Sequence, residues 1–274
     1  MTSPSKEMYS PIGRLLREWR AARRMSQLDL ALEAELSTRH LSCIETGKSR
    51  ASKEVIGRLA DALGMPLRER NALIRAGGFA TEFSESPLLT PTLDRMREAI
   101  DLILRHQDPY PAFVVSRHWE VLQANDAAMR MNDFLLQGRP LRHTNLLHQV
   151  FDPEDFRSVI INWSEVAGRF LRHLHEVVAS VPTDDVSRRL LEELLTYPDV
   201  PSHWRSMEGD GIAPVLNLVF RSPAGELRFF ETMTTFIDPR DVTLEELRIE
   251  CCFPADEKTA AVCQHLRETS RAAA

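Results

Sequence analysis

The 274-residue chain has no run approaching about eighteen apolar residues, so a membrane-spanning helix is not expected. No charged leader followed by an apolar stretch is seen, which excludes a secretory signal and points to a cytoplasmic, reducing setting. Cysteine occurs four times, at 43, 251, 252 and 263, a pattern that gives neither a disulfide framework nor zinc-ligand spacing. Adjacent Cys251 and Cys252 should face opposite sides of a strand, and a redox role for the thiols stays open. Glycine is scarce at 11 residues and forms no phosphate-cradling loop. His173 and His175 stand two apart on an expected helix, which sends them to different faces, whereas a metal pair stands three or four apart. The neighbouring carboxylates Glu192-Glu193 and Glu245-Glu246 diverge in the same way. With no nucleophile and base at persuasive spacing, we assign no catalytic residue, metal ligand or cofactor, and an enzyme is not expected.

What the chain does contain is a pair of short, capped helices. Ser26 suits the N-cap of a helix from Gln27 to about Ala34, and Ser37 that of a second from Thr38 to about Thr46. Gly47 then stands where a left-handed C-cap is needed. Leu28, Ala31 and Leu32 are expected to form the inner face of the first helix, and Leu41, Ile44 and Glu45 that of the second. Thr38, Arg39 and Ser42 would then point outward. By pattern alone, a plain helical hairpin satisfies the same spacing. Flanking stripes at Ile12, Leu15, Leu16 and Trp19, at Val55, Ile56, Leu59, Ala60 and Leu63 behind Ser52, and at Leu67 to Ala76 behind Pro66 complete five helices in about seventy residues.

Ser26-Gln27 and the Leu-Ser-x-Ile-Glu-x-Gly run from Leu41 to Gly47 resemble the lambda-repressor-like, XRE-type helix-turn-helix family. The resemblance implies that Gln27 approaches a DNA phosphate and that exposed residues of the following helix read base edges in the major groove of double-stranded DNA. Candidate contacts are therefore Gln27, Thr38, Arg39, His40, Ser42, Lys48 and Arg50. One departure is Glu35, which stands in the turn where the family has Gly, so strain or an altered turn is expected there.

Charge divides the chain in a consistent direction. Residues 1–82 carry 14 Lys+Arg against 10 Asp+Glu, a balance of +4, while residues 83–274 carry 20 against 30, a balance of −10. Arg14, Arg17, Arg20, Arg23, Arg24 and Lys53 join Lys48 and Arg50 as candidates for phosphate contact, with a solvated charged face as the alternative. The acidic remainder would repel a phosphate backbone and is suited to sensing or assembly.

Composition suggests a DNA-binding domain over 1–80, a polar, proline-bearing linker over 81–91 and a second domain over 92–274. The second is read as an amphipathic helix to His106, a hairpin from Ala112–Ser116 and Trp119–Gln123, and a helix capped by Asn125. A long helical region from 153 to 197 follows, interrupted near Pro182. Strands are expected at Val215–Arg221, Leu227–Ile237 and Leu247–Phe253, then a helix from Asp256 to Leu266. The fold class is α+β overall, an all-α five-helix domain followed by an α+β domain with an antiparallel sheet.

Pro-Ala-Phe-Val-Val at 111–115, Trp-Glu-Val-Leu-Gln-Ala-Asn at 119–125 and Phe-Pro-Ala-Asp at 253–256 resemble the MmyB-like ligand-binding domain, a PAS-like fold paired with XRE-type motifs in bacterial regulators. That resemblance implies a one-component transcription regulator holding a hydrophobic, fatty-acid-like ligand between sheet and helices, and a homodimer is expected because two motifs related by a two-fold axis would address paired half-sites. Phe113, Val115, Trp119, Phe134, Trp163, Phe170, Phe220 and Phe230 are candidates to line the pocket, with plain core packing as the alternative for each. A DNA-binding scaffold whose second domain recruits a protein without a small ligand satisfies the same sequence.

Overall fold

A computed structural model describes residues 10–205 and 217–273. The chain divides into two compact units. The first comprises the residues up to Ser86 together with 177–184 and 238–245, and the second holds the remainder, so no single cut separates them.

Five helices build the first unit: α1 (Pro11–Ala22), α2 (Gln27–Glu33), α3 (Thr38–Glu45), α4 (Lys53–Ala62) and α5 (Leu67–Ala76). Serine starts four of them, each hydroxyl oxygen accepting from an otherwise orphaned backbone N–H: Gly13 to Ser10 at 3.1 Å, Asp29 to Ser26 at 3.2 Å, His40 to Ser37 at 3.1 Å and Val55 to Ser52 at 3.2 Å. Ser26 also donates its own N–H to Asp29 at 2.8 Å, which closes a reciprocal cap. Their shared core is centred on Leu16, Trp19, Leu30, Leu41, Ile44, Ile56 and Leu59, all fully buried.

The inner face of α2 differs from expectation. Leu30, Ala31 and Ala34 are buried, while Leu28 and Leu32 are 54% and 68% exposed. Two apolar pairs at i,i+4 compete on this short helix, and the small Ala34 allows closer approach on the Leu30 side than Leu28 and Leu32 offer. At its end Glu35 adopts φ +53°, with Leu36 N–H bonding Ala31 O at 2.8 Å and Glu35 N–H bonding Leu32 O at 3.1 Å. A glutamate therefore occupies the left-handed position that glycine fills without strain.

In the second part of the chain come α6 (Asp94–Gln107), strands β1 (Ala112–Val115) and β2 (Val121–Ala124), then α7 (Asp126–Leu136), α8 (Leu146–Phe151), α9 (Trp163–Ser180) and α10 (Asp185–Leu194). Strands β3 (Asn217–Ser222) and β4 (Gly225–Thr234), helix α11 (Val242–Glu246), strand β5 (Arg248–Pro254) and helix α12 (Glu257–Ala273) follow. Of the strand expected from Val215, the described part is Asn217–Ser222; residues 215 and 216 lie outside those described. The short helices α8 and α11 were not anticipated, α12 runs seven residues past Leu266, and α9 begins only at Trp163 after a 3-10 turn at Phe156–Ser158. The five strands form one sheet in the order β2-β1-β5-β4-β3, every neighbouring pair antiparallel, which is the PAS-like α+β arrangement.

Asn125 ties several of these pieces together. Its carboxamide oxygen accepts from Ala128 N–H at 2.9 Å as the cap of α7 and from Ala112 N–H at 3.0 Å on β1. Its amide donates to Leu104 O at 3.1 Å on α6 and to Tyr110 O at 2.9 Å. One buried side chain thereby satisfies four backbone groups where helix meets sheet. Among the described residues, no helix is long and apolar enough to cross a membrane.

Candidate functional site

The surface of α3 is set by what its other side must bury. Leu41, Ile44 and Glu45 turn inward, which leaves Arg39 exposed and Thr38, His40 and Ser42 half-buried along the opposite side. Beyond the left-handed Gly47, at φ +74°, Lys48 and Arg50 are exposed, and no acidic group among the described residues pairs with either.

Glu45, 1% exposed, is the hub beneath this surface. Arg20 of α1 donates to it from Nε at 3.0 Å and from a terminal nitrogen at 3.2 Å, and Gln27 of α2 donates its amide at 2.7 Å. A buried carboxylate is tolerable only when paired in this way. Gln27 consequently links α2 to α3 through its side chain, and Arg20 is occupied by Glu45. Neither Arg20 nor Arg23 offers the free guanidinium expected for phosphate contact, because Arg23 donates to Leu63 O and Ser180 O at 2.9 Å each and lies 5.1 Å from the Trp19 ring centroid. Lys53 pairs with Glu82 at 3.1 Å and Arg14 with Glu18 at 3.9 Å, both on the surface. Gly13 lets α1 come close to α3, since a Cβ there would lie 1.9 Å from Glu45 O.

A second feature is a partly open cavity of about 180 Å³ between the sheet on one side and α7, α8, α9 and the 3-10 turn on the other. Of the eight aromatic and apolar candidates, Phe113, Phe170 and Phe220 line it. The other five candidates lie elsewhere. Val115 is fully buried in core packing, and Trp119, at φ +69° in the β1-β2 connection, packs edge-on against Phe170 at 5.4 Å and His173 at 5.8 Å. Trp163 donates Nε1–H to Val150 O at 2.9 Å and carries Arg157 over its ring at 4.0 Å. Phe134 faces a shallow groove beside Lys258 and Leu266, and Phe230 stacks on Phe253 at 5.3 Å on the opposite side of the sheet.

Side chains not anticipated complete the wall. Phe156 and Phe229 flank Phe220 at 6.2 and 6.1 Å, and Met131, Leu135, Ile160 and Leu218 extend the apolar lining. Four polar residues join them: Asn132, Gln149, Glu231 and Cys252. Gln149 already donates to His143 O at 2.8 Å. Glu231 of β4 stands opposite Cys252 of β5 in register, and the thiol donates to its carboxylate at a distance of 3.7 Å. Burial, reinforced by the charge of Glu250, pushes the Glu231 carboxyl up to about 8. Burial likewise raises Glu250 to about 7 against the partial compensation of Arg248. The half-burial of Glu231 is consistent with a carboxylate whose open side is the cavity.

The thiols are held protonated. Burial raises Cys251, lifts Cys252 well above the ordinary thiol range with help from Glu231 and Glu250, and brings Cys263 to about 12. Thiolate chemistry at these three positions is disfavoured at neutral pH. His173 and His175 part as expected, the first packing on Trp119 and the second edge-on to Trp204 at 5.5 Å. Burial and Arg248 lower the pKa of His173.

Comparison with known families adds two matches. A family model described as the MmyB-like transcription regulator ligand binding domain matches residues 96–266, more than half of the chain. A second, described as a helix-turn-helix domain, matches residues 11–73. No curated protein shows significant similarity to the chain.

Proposed function

Because the chain belongs to the family of MmyB-like transcription regulators and carries a helix-turn-helix domain, we propose that it reads a specific DNA sequence through α3 and answers to a small apolar molecule held in the sheet-helix cavity. The observation that carries the DNA reading is the two-sidedness of α3, which buries Leu41, Ile44 and Glu45 and leaves Arg39 to solvent. Arg39 is suited to bidentate pairing with a guanine edge, and Thr38, His40 and Ser42 flank it. Lys48 and Arg50 are suited to phosphate contact. Gln27 supports this surface from behind by holding Glu45.

The domain division we propose is a DNA-binding part over 1–80, a connection over 81–91 and a ligand-binding, dimer-forming part over 92–274. Two copies related by a two-fold axis would address half-sites about one helical turn apart. Selection from a random duplex pool with the full chain tests both statements: an enriched motif with two-fold symmetry at that spacing is expected, and enrichment of an unpaired half-site would remove the dimer.

The apolar wall suits a fatty-acid-like body, and 180 Å³ sets how much of one enters without rearrangement. Such a ligand shifts DNA affinity only by the difference between its affinities for the DNA-competent and incompetent arrangements. Native mass spectrometry of the purified chain before and after solvent extraction tests for it. A bound small molecule supports the sensor, while a cavity empty from every preparation and closed to added ligands supports a scaffold that recruits a protein instead.

A further inference from the structure

Helix α12 has two unlike sides. On one, Thr259 and Cys263 are buried, the Thr259 hydroxyl oxygen accepts from Arg228 N–H of β4 at 2.9 Å, and Arg267 pairs with Asp108 at 3.0 Å. These contacts fix which side of the helix is held. On the other, Lys258, Ala261, His265 and Glu268 follow one another at spacings of three, four and three, a single stripe of an α-helix, and all four are exposed. Val262 and Leu266 lie beside the stripe. With Phe134 of α7 and the Pro223-Ala224 turn between β3 and β4 they form a shallow, largely apolar groove open to solvent. Apolar surface left open and rimmed by charge marks an interaction face.

We propose that this groove is where a second copy of the chain docks, α12 against α12 in antiparallel register around residue 263. The inference rests on the reading of the second part of the chain as dimer-forming and says which face does it. Charge identifies the occupant. Lys258 and Glu268 make no ion pair among the described residues, and they stand ten residues apart, about 15 Å along the helix, at equal distances from residue 263. An antiparallel copy therefore sets each Lys258 against Glu268 of the second copy and each Ala261 against His265 of the second copy, the reciprocal pairing that a two-fold interface requires. A parallel copy would set Lys258 on Lys258 and Glu268 on Glu268, with repulsion at both ends. Ala261, small and exposed near the centre, lets two helix axes come close. A foreign partner has no need of opposite charges matched about one point.

Sedimentation equilibrium of the full chain over a range of concentrations provides the test, with the wild type expected to dimerise. Ala261→Arg puts a long cation near the centre of the contact and is expected to raise the dimer dissociation constant at least about tenfold. Lys258→Glu and Glu268→Lys each set like charges together in both symmetric pairs and are expected to raise it at least about fivefold. The double swap Lys258→Glu with Glu268→Lys restores both pairs and is expected to return it to within about twofold of the wild type. A dimer indifferent to Ala261→Arg, or a double swap as weak as the single reversals, overturns this placement, leaves the groove to a partner of another kind and leaves the dimer standing on another face. A wild-type chain that is monomeric at every concentration overturns both the placement and the dimer. Should Ala261→Arg not fold, the charge series decides.

Discussion

Single side chains of the first unit divide into those left to solvent and those held by neighbouring groups. Arg39 and Lys48 are exposed on or beside α3, whereas Arg20, Arg23 and Gln27, all basic or polar candidates by sequence, spend their hydrogen-bonding groups inside the unit. Composition cannot separate the two groups, because an arginine beside a buried carboxylate and one beside water have the same sequence signature. Lys48→Ala is expected to weaken binding to all duplexes alike and to lower the slope of log affinity against log salt by about 1, read from titrations at several salt concentrations; an unchanged slope removes its phosphate role. Glu231 makes a prediction in pH. Its carboxyl ionises near 4.5 in an unfolded chain and near 8 in the folded one, so the folded state holds the proton more tightly. The sign follows: stability is fully present below pH 4.5 and is lost as pH rises toward 8, and Glu250 acts in the same sense up to about 7. Denaturation of wild type and Glu231→Gln from pH 5 to 8 should therefore show the variant gaining on the wild type as pH rises, and a constant difference would show that Glu231 ionises freely in the fold.

The capped starts of helices were readable locally where the faces of strands were not, and the reason is the range of the signal. Ser26, Ser37 and Ser52 announce α2, α3 and α4 through hydrogen bonds to residues three positions on, so the evidence lies within one turn. The face of a strand is decided by distant partners. Phe229 lines the cavity and Phe230 stacks on the other side, and only the pairing of Phe229 with Pro254 and of Glu231 with Cys252 distinguishes them. A similar limit hid the orientation of α2, where Leu28 and Leu32 are exposed, and concealed α8, whose six residues are too few to show a period. The approach of α1 to α3 is a close helix contact that one residue, Gly13, controls. Gly13→Ala would drive a methyl to 1.9 Å from Glu45 O, so the helices must separate at a cost of about 1–3 kcal/mol or more, measured as a lower midpoint in chemical denaturation. Wild-type stability in that variant would mean α1 is free to shift.

For the molecule as a whole, the two family matches and the division of charge agree on a positive DNA-binding part and an acidic ligand-binding part. The pairing of a helix-turn-helix with a PAS-like sheet was visible from short motifs at 26–47, 111–125 and 253–256, while the polar character of the cavity was not, since Glu231 reads as a solvated charge until its neighbours across the sheet are known. The reading of a specific DNA sequence rests on α3 presenting Arg39 to base edges. The direct measurement is the affinity of wild type and Arg39→Ala for the duplex enriched by selection and for a scrambled duplex of equal composition. A loss of about 1–3 kcal/mol on the enriched duplex with little change on the scrambled one is the expected result, and an equal loss on both, or none on either, would contradict it.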